Sequence, residues 1–260
     1  MVHGPRTTAG TAHALVFAPV TPSWDEGAFF APVIRTLTGA GLWVTVVDTL
    51  ALLDEDVRTL AGLVARWRTL LPAFGRVDLL CGNALGGAVA QELLPHLAPE
   101  TATLLVSGPA RTDPLLNHRL TEIADLAATG HTDAALALLH HRVLPDEPSA
   151  PDPAPATGPA AGHAGAADAP AASRQTAARR LDGGLRLLCG IDVGPAVEAH
   201  PGPLLHIVGG RSQLVTRRHT AAGPRHRVHV VPEAGMRPHT EQPAEVSALI
   251  ETFLREKGLT

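Results

Sequence analysis

The sequence predicts an α/β fold: a mainly parallel sheet with helices on both faces and a helical cap inserted before the last strands. Three observations carry this. Six short apolar runs bounded by turn residues recur along the 260 residues. Helical patterns lie between them, and the alternation of strand and helix is broken once, between Thr112 and Gly194. Alternation of this kind produces right-handed parallel units. A chain of this length holds one sizeable core, with or without an insertion, and not two large domains.

The runs are ALVFAP (14–19), WVTVVD (43–48), VDLLC (77–81), TLLVS (103–107), LLHIV (204–208) and VHVV (228–231). Continuous β-branched and Leu-rich runs suit strands buried on both faces. The clearest helix spans Asp54 to Leu71, with Val57, Leu60, Ala61, Val64, Trp67 and Leu71 on one stripe and Arg58, Arg66 and Arg68 off it. In the interruption, two helical segments, LLNHRLTEIADLAATG and DAALALLHHRVL, have no strand between them. A Pro/Ala/Gly-rich stretch follows (148–172), too poor in large apolar side chains to offset its ordering entropy, and reads as a flexible loop. A third helix, RQTAARRLDGGLRLLC, returns to the sheet. The expected organisation is a core of residues 1–112 and 195–260 with a cap of residues 113–194.

Composition excludes several classes of function. The chain is 45% hydrophobic, yet no apolar run is long enough to span a bilayer, and no targeting peptide is visible, so a soluble, cytoplasmic protein without a membrane partner is expected. A net charge of −4 with scattered basic residues gives no footprint for nucleic acid. The two cysteines, Cys81 and Cys189, are far apart in sequence and read as buried thiols rather than a disulfide or metal pair. No His, Cys, Asp or Glu set has metal-ligand spacing, and nothing calls for a cofactor. The oligomeric state is left open by the sequence.

The chemistry concentrates in CGNALGG, residues 81–87, between the run VDLL and a helical AVAQELL. This is where a G-x-S-x-G nucleophile elbow belongs, with Gly82, Gly86 and Gly87 allowing a sharp turn and close packing. Together with the strand, helix and strand of ALVFAPVTPSWDEGAFFAPVIRTLTGAGLWVTVVD, and with HIVGGRSQLVT and VVPEAGMRPHTEQPAEVSALIETFL, it resembles the α/β-hydrolase superfamily over most of the chain. The resemblance implies a nucleophile at Ala84, an acid at Ser212 and a base at Met236, and all three positions are replaced. The H-G pair that usually opens the oxyanion loop is here Ala18-Pro19. The Leu85 backbone N–H keeps its place beside the elbow. Ala84, in the family geometry, would hold a strained backbone at a cost of about 1–3 kcal/mol.

The candidate site is therefore a cap-covered apolar pocket with no catalytic triad and no metal, in which Pro19, Val20, Asn83, Ala84, Leu85, Met236 and His239 contact the substrate. Other histidines read as structural. His140 and His141 end a cap helix, where a cation complements the dipole, and His206 alternates with apolar neighbours as a hydrogen-bonded core residue. A relocated triad is a further arrangement to test, with Ser107 and Asp113 at the carboxyl edge of the sheet and His239 approaching them. Two classes of function follow. One is a cofactor-free, non-hydrolytic catalyst, an epimerase, cyclase or lyase, acting on a small-molecule or modified-peptide ligand; among triad-less members of the superfamily, the peptide epimerase of bottromycin-type pathways is similar in kind. The other is a binder or pseudoenzyme that kept only the pocket.

Overall fold

The computed structural model describes residues 2–3, 11–146 and 171–260. Among these residues the sheet has seven strands: β1 (Val2–His3), β2 (His13–Phe17), β3 (Trp43–Val47), β4 (Leu79–Asn83), β5 (Ala102–Val106), β6 (Leu204–Gly209) and β7 (His226–Val231). Their spatial order is β1-β3-β2-β4-β5-β6-β7, with β1 antiparallel to β3 and every other neighbouring pair parallel. The six expected strands are present within a few residues of their apolar runs. Strand β1 has no counterpart in the sequence reading, because two residues carry no periodicity.

The helices are α1 (Ala31–Gly39), α2 (Leu60–Leu70), α3 (Leu85–Leu93), α4 (Pro114–Ala128), α5 (Thr132–Val143), α6 (Ala171–Arg186), α7 (Gly194–Ala199), α8 (Pro238–Glu241) and α9 (Pro243–Glu256). Strand alternation sends Ala14 and Val16 to one face, against Val33 and Leu37 of α1 and Ile250 and Phe253 of α9. Leu15 and Phe17 go to the other, against Leu63, Val64 and Trp67 of α2 and Val89 and Leu93 of α3. Each fully buried side chain of this size contributes about 1.5–3 kcal/mol of transfer free energy. Helices α4, α5 and α6 fall between β5 and β6 and pack on one another.

Three sequence expectations are corrected here. Helix α2 starts at Leu60, not Asp54, because the Thr59 side chain accepts a hydrogen bond from Gly62 N and caps the first turn there. Ala61 is exposed and Leu63 takes its place in the buried stripe. Residues 171–172, expected in the loop, already belong to α6, while 148–170 lie outside the described residues.

His206 is the third. It sits in β6 between Leu105 and Val228, fully buried, but neither ring nitrogen has a hydrogen-bond partner. Burial alone pushes its pKa down to about 3. The unfolded chain takes up a proton below the ordinary value of 6.5 that the folded chain refuses. His206 therefore costs nothing further above pH 6.5, and stability falls by about 1.4 kcal/mol per pH unit as pH drops toward the folded value. His206→Leu should be more stable than the parent by about 1–3 kcal/mol at neutral pH, having no orphaned polar atoms. Denaturant unfolding at about pH 7.5 and about pH 5 should show that gap widening on acidification; a constant or narrowing gap contradicts this account.

Candidate functional site

Strand β4 delivers the chain to a turn so tight that only glycines fit around it. A Cβ on Gly82 would lie 2.4 Å from Gly86 O, and one on Gly86 would lie 2.1 Å from Phe17 O at the end of β2. Gly87 packs against Gly108 in the same way, a Cβ there reaching its Cα at 2.7 Å. Between these contacts Ala84 holds φ 48° and ψ −114°. That conformation costs a non-glycine residue about 1–3 kcal/mol, and it is the geometry that turns position 84 away from the strand and starts α3 at Leu85. No side chain caps that helix.

Position 84 opens on a cavity of about 830 Å³. All seven residues that the sequence singled out line it: Pro19, Val20, Asn83, Ala84, Leu85, Met236 and His239. The roof, which the sequence did not resolve, comes from Leu116 and Leu120 of α4, Leu136, Leu139 and Val143 of α5, and Leu185 of α6. Ser212 and Met236 meet, with Ser212 Oγ 3.7 Å from Met236 Sδ. Their contact supplies no charge and no proton acceptor of useful strength. Met236 N also donates to Val143 O at 3.1 Å, which fixes the end of α5 to the loop before α8.

The polar groups on the wall are few. Asn83 is buried, and its Nδ2 donates to Val106 O at 2.9 Å. His239 is only 1% exposed and its Nε2 lies 3.1 Å from Phe29 O. A carbonyl can only accept, so the ring proton sits on Nε2 and Nδ1 carries the lone pair. Burial lowers the His239 pKa to about 4 against the opposing effect of the Phe29 bond, with the nearby Arg237 charge lowering it further. The imidazole is neutral at physiological pH. His140, expected at the surface, contributes to the cavity wall from an exposed position near the end of α5.

The relocated triad does not assemble. Ser107 also has a positive φ, 49°, but it is fully buried and its hydroxyl has no hydrogen-bond partner. Asp113 caps α4 through Leu116 N at 2.7 Å and turns its other oxygen to Arg218 at 3.0 Å and His219 at 3.2 Å. The Leu116 N–H, followed by His219 and Arg218, holds the Asp113 carboxyl below the usual range. With Asp113 engaged elsewhere and no partner at Ser107 Oγ, Ser107 has no base within hydrogen-bond reach. Both cysteines are free, and Cys189 is half-buried rather than buried. Among the described residues no group of three or more His, Cys, Asp or Glu could hold a metal ion, and no helix is long and apolar enough to cross a membrane.

A latch missed by the sequence reading holds the cap on the core. Arg180 of α6 forms a two-toothed pair with Asp48 at the end of β3, 2.9 and 2.8 Å, and donates to Thr21 O at 2.8 Å. One turn on, Gly184 lets α6 approach Val20 and Leu50 so closely that a Cβ would lie 2.8 Å from Val20 Cγ2. The signal was present as an arginine three residues before a glycine pair, but its partner is 132 positions away.

No protein-family model matches the chain, and no curated protein sequence matches it. Solved structures do. MGS-M2, an alpha/beta hydrolase enzyme from a Medee basin deep-sea metagenome library, superposes with a TM-score of 0.72 at 12% identity, covering 97% of this chain and 92% of that one. The enol-lactonase from Burkholderia xenovorans LB400 gives 0.69 at 15% identity, with 95% and 92% covered. MenH from S. aureus gives 0.66 at 14% identity, with 99% and 100% covered. At these identities the likeness establishes the α/β-hydrolase fold and nothing about activity.

Because the Arg180–Asp48 pair is mostly buried, breaking it leaves an uncompensated charge. Arg180→Ala should lower unfolding free energy by about 3 kcal/mol or more. Asp48→Ala should do the same, and the double variant should lose less than the sum of the two. Additive losses in a chemical-denaturation cycle would show that the two residues act independently and that the latch does not exist.

Proposed function

We propose that the chain is a cofactor-free, non-hydrolytic catalyst: an epimerase or other isomerase, or a cyclase or lyase, acting on a hydrophobic or peptidic natural-product intermediate. One observation carries the reading. Ala84 and Met236, where the resemblance would put a nucleophile and a base, form part of a mainly apolar wall around about 830 Å³ under a latched cap, and Ser212, where it would put an acid, touches Met236. A covalent acyl intermediate needs a nucleophile activated by a base, and Ala84 and Met236 supply neither. What such a cavity offers is orientation and exclusion of water.

Those two effects suffice for a substrate that carries its own chemistry. A carboxylate on the substrate becomes more basic once desolvated, and can remove a proton from an adjacent, already acidified C–H. Inversion then proceeds by returning a proton to the opposite face of the planar carbanion. The proposed route does not use His239, which is neutral and donates through Nε2 to Phe29 O. A binder without turnover is the second reading, favoured by the same fact that no charged group of the triad survives.

The protein should not turn over p-nitrophenyl esters or label with a fluorophosphonate. Ala84→Ser should restore almost no esterase activity, because Met236 stands where the base belongs; a large gain would show that another base serves position 84. With an epimerisable substrate in deuterated water, the inverted carbon should gain deuterium without added metal or nucleotide. Ala84→Phe should abolish binding and turnover together, and His239→Gln should leave both within a few-fold. Tight binding with no isotope uptake, inversion or new bond would overturn the catalyst in favour of the binder.

A further inference from the structure

One fixed cation stands in the cavity wall. Among the described residues that line it, the titratable side chains are Asp133, His140, Arg237 and His239, and His239 is neutral at physiological pH. Arg237 alone of these is always positively charged. It follows Met236, whose N–H bond to Val143 O places this stretch at the C-terminal end of α5. Asp133 lines the cavity from the other end of that helix, about 15 Å away along its axis at about 1.5 Å per residue.

The Arg237 guanidinium is incompletely matched by its own chain. Its ion-pair partner is Glu241, but Nε stands 3.9 Å from Oε1, too far for a hydrogen bond. Glu241 turns its other oxygen to Gly235 N. Arg237 Nε is buried without a hydrogen-bond partner, and neither outer nitrogen has one among the described residues. The side chain is nevertheless 41% exposed, so the accessible part is the outer end of the fork. Arg180 shows the contrast, since its fork is filled by both oxygens of Asp48.

We propose that Arg237 anchors a ligand carboxylate, so that the cavity takes an apolar molecule ending in that group: the carboxylate on the outer guanidinium nitrogens, the hydrocarbon against the Leu-rich roof from α4, α5 and α6. The planar fork matches the two oxygens of a carboxylate. A dianion such as a phosphate monoester would bring a second charge, beside Glu241 and in apolar surroundings, that nothing on the wall balances. An amide or ester has no charge to pair. Asp133 sets the direction, because it repels the carboxylate from the opposite end. The inference rests on the ligand-binding reading of the cavity given above and adds the group by which the ligand is held. A carboxylate paired with a guanidinium loses basicity, so in the catalytic route the group that removes the proton is a different one on the substrate.

Octanoate, octanamide and octyl phosphate test it on the full-length protein, with affinities from calorimetry and the methyl signals of Met236 and Val143 reporting entry into the cavity. Octanoate should bind about tenfold or more tightly than either of the others. Arg237→Gln should bring octanoate down to the affinity of octanamide while leaving octanamide within about twofold. Arg237→Lys keeps the charge and loses the fork, so its octanoate affinity should fall between the two. The lysine variant decides alone if the glutamine variant fails to fold, since it leaves Glu241 a cation. Octanoate binding that is no tighter than octanamide, or that is unchanged by these substitutions, overturns the inference and leaves the cavity reading standing. Octyl phosphate bound as tightly as octanoate overturns the choice of a carboxylate; if none of the three binds or moves the methyl signals, both readings fall.

Discussion

The structure depends on a backbone contact in which nothing larger than hydrogen fits. Gly82 and Gly86 bring the end of β4 and the start of α3 against the end of β2, with a Cβ on Gly86 lying 2.1 Å from Phe17 O. Closeness there leaves the chain one way to leave the strand, through a positive φ at position 84. Serine at that position would explain the strain as the means of presenting a nucleophile. Alanine leaves the strain with a different consequence: it fixes where Asn83, Ala84 and Leu85 border the cavity. The elbow is retained because the sheet, helix and floor are built on it.

Around that floor the neighbouring side chains make contacts that hold shape. Ser212 and Met236 still touch, and Met236 N ties the loop to the end of α5. His239 donates to Phe29 O and packs edge-on against Phe30 at 4.9 Å. The cap is held by a buried ion pair from Arg180 to Asp48 rather than by charges within the cavity.

The strands and the elbow were legible in the sequence because they rest on local patterns. Buried runs such as VDLL and TLLV announce parallel strands, and glycines at 82, 86 and 87 announce a turn that no side chain can enter. The resemblance then located positions 84, 212 and 236, and with them the seven residues that share one cavity. Other features were not legible because they are long-range. Nothing near Ser107 shows that its hydroxyl is sealed in the core, nothing near Asp113 shows that it caps α4 and meets His219, and nothing near His206 shows that both nitrogens go unpaired. The roof and the Arg180 latch likewise depend on how three helices settle on the sheet. The start of α2 was misplaced for a local reason, as the Thr59 cap outweighed an apolar residue at Val57.

The central claim is that the elbow survives as the floor of a dry, apolar binding cavity. Crystals of the protein held under xenon pressure test it most directly, since xenon enters apolar cavities and does not displace hydrogen-bonded water from polar ones. The account predicts xenon in contact with the Ala84 methyl group and the Met236 side chain, beneath Leu116 and Val143. Absence of xenon there, with a connected chain of ordered waters running from Ala84 to Thr21, would contradict it.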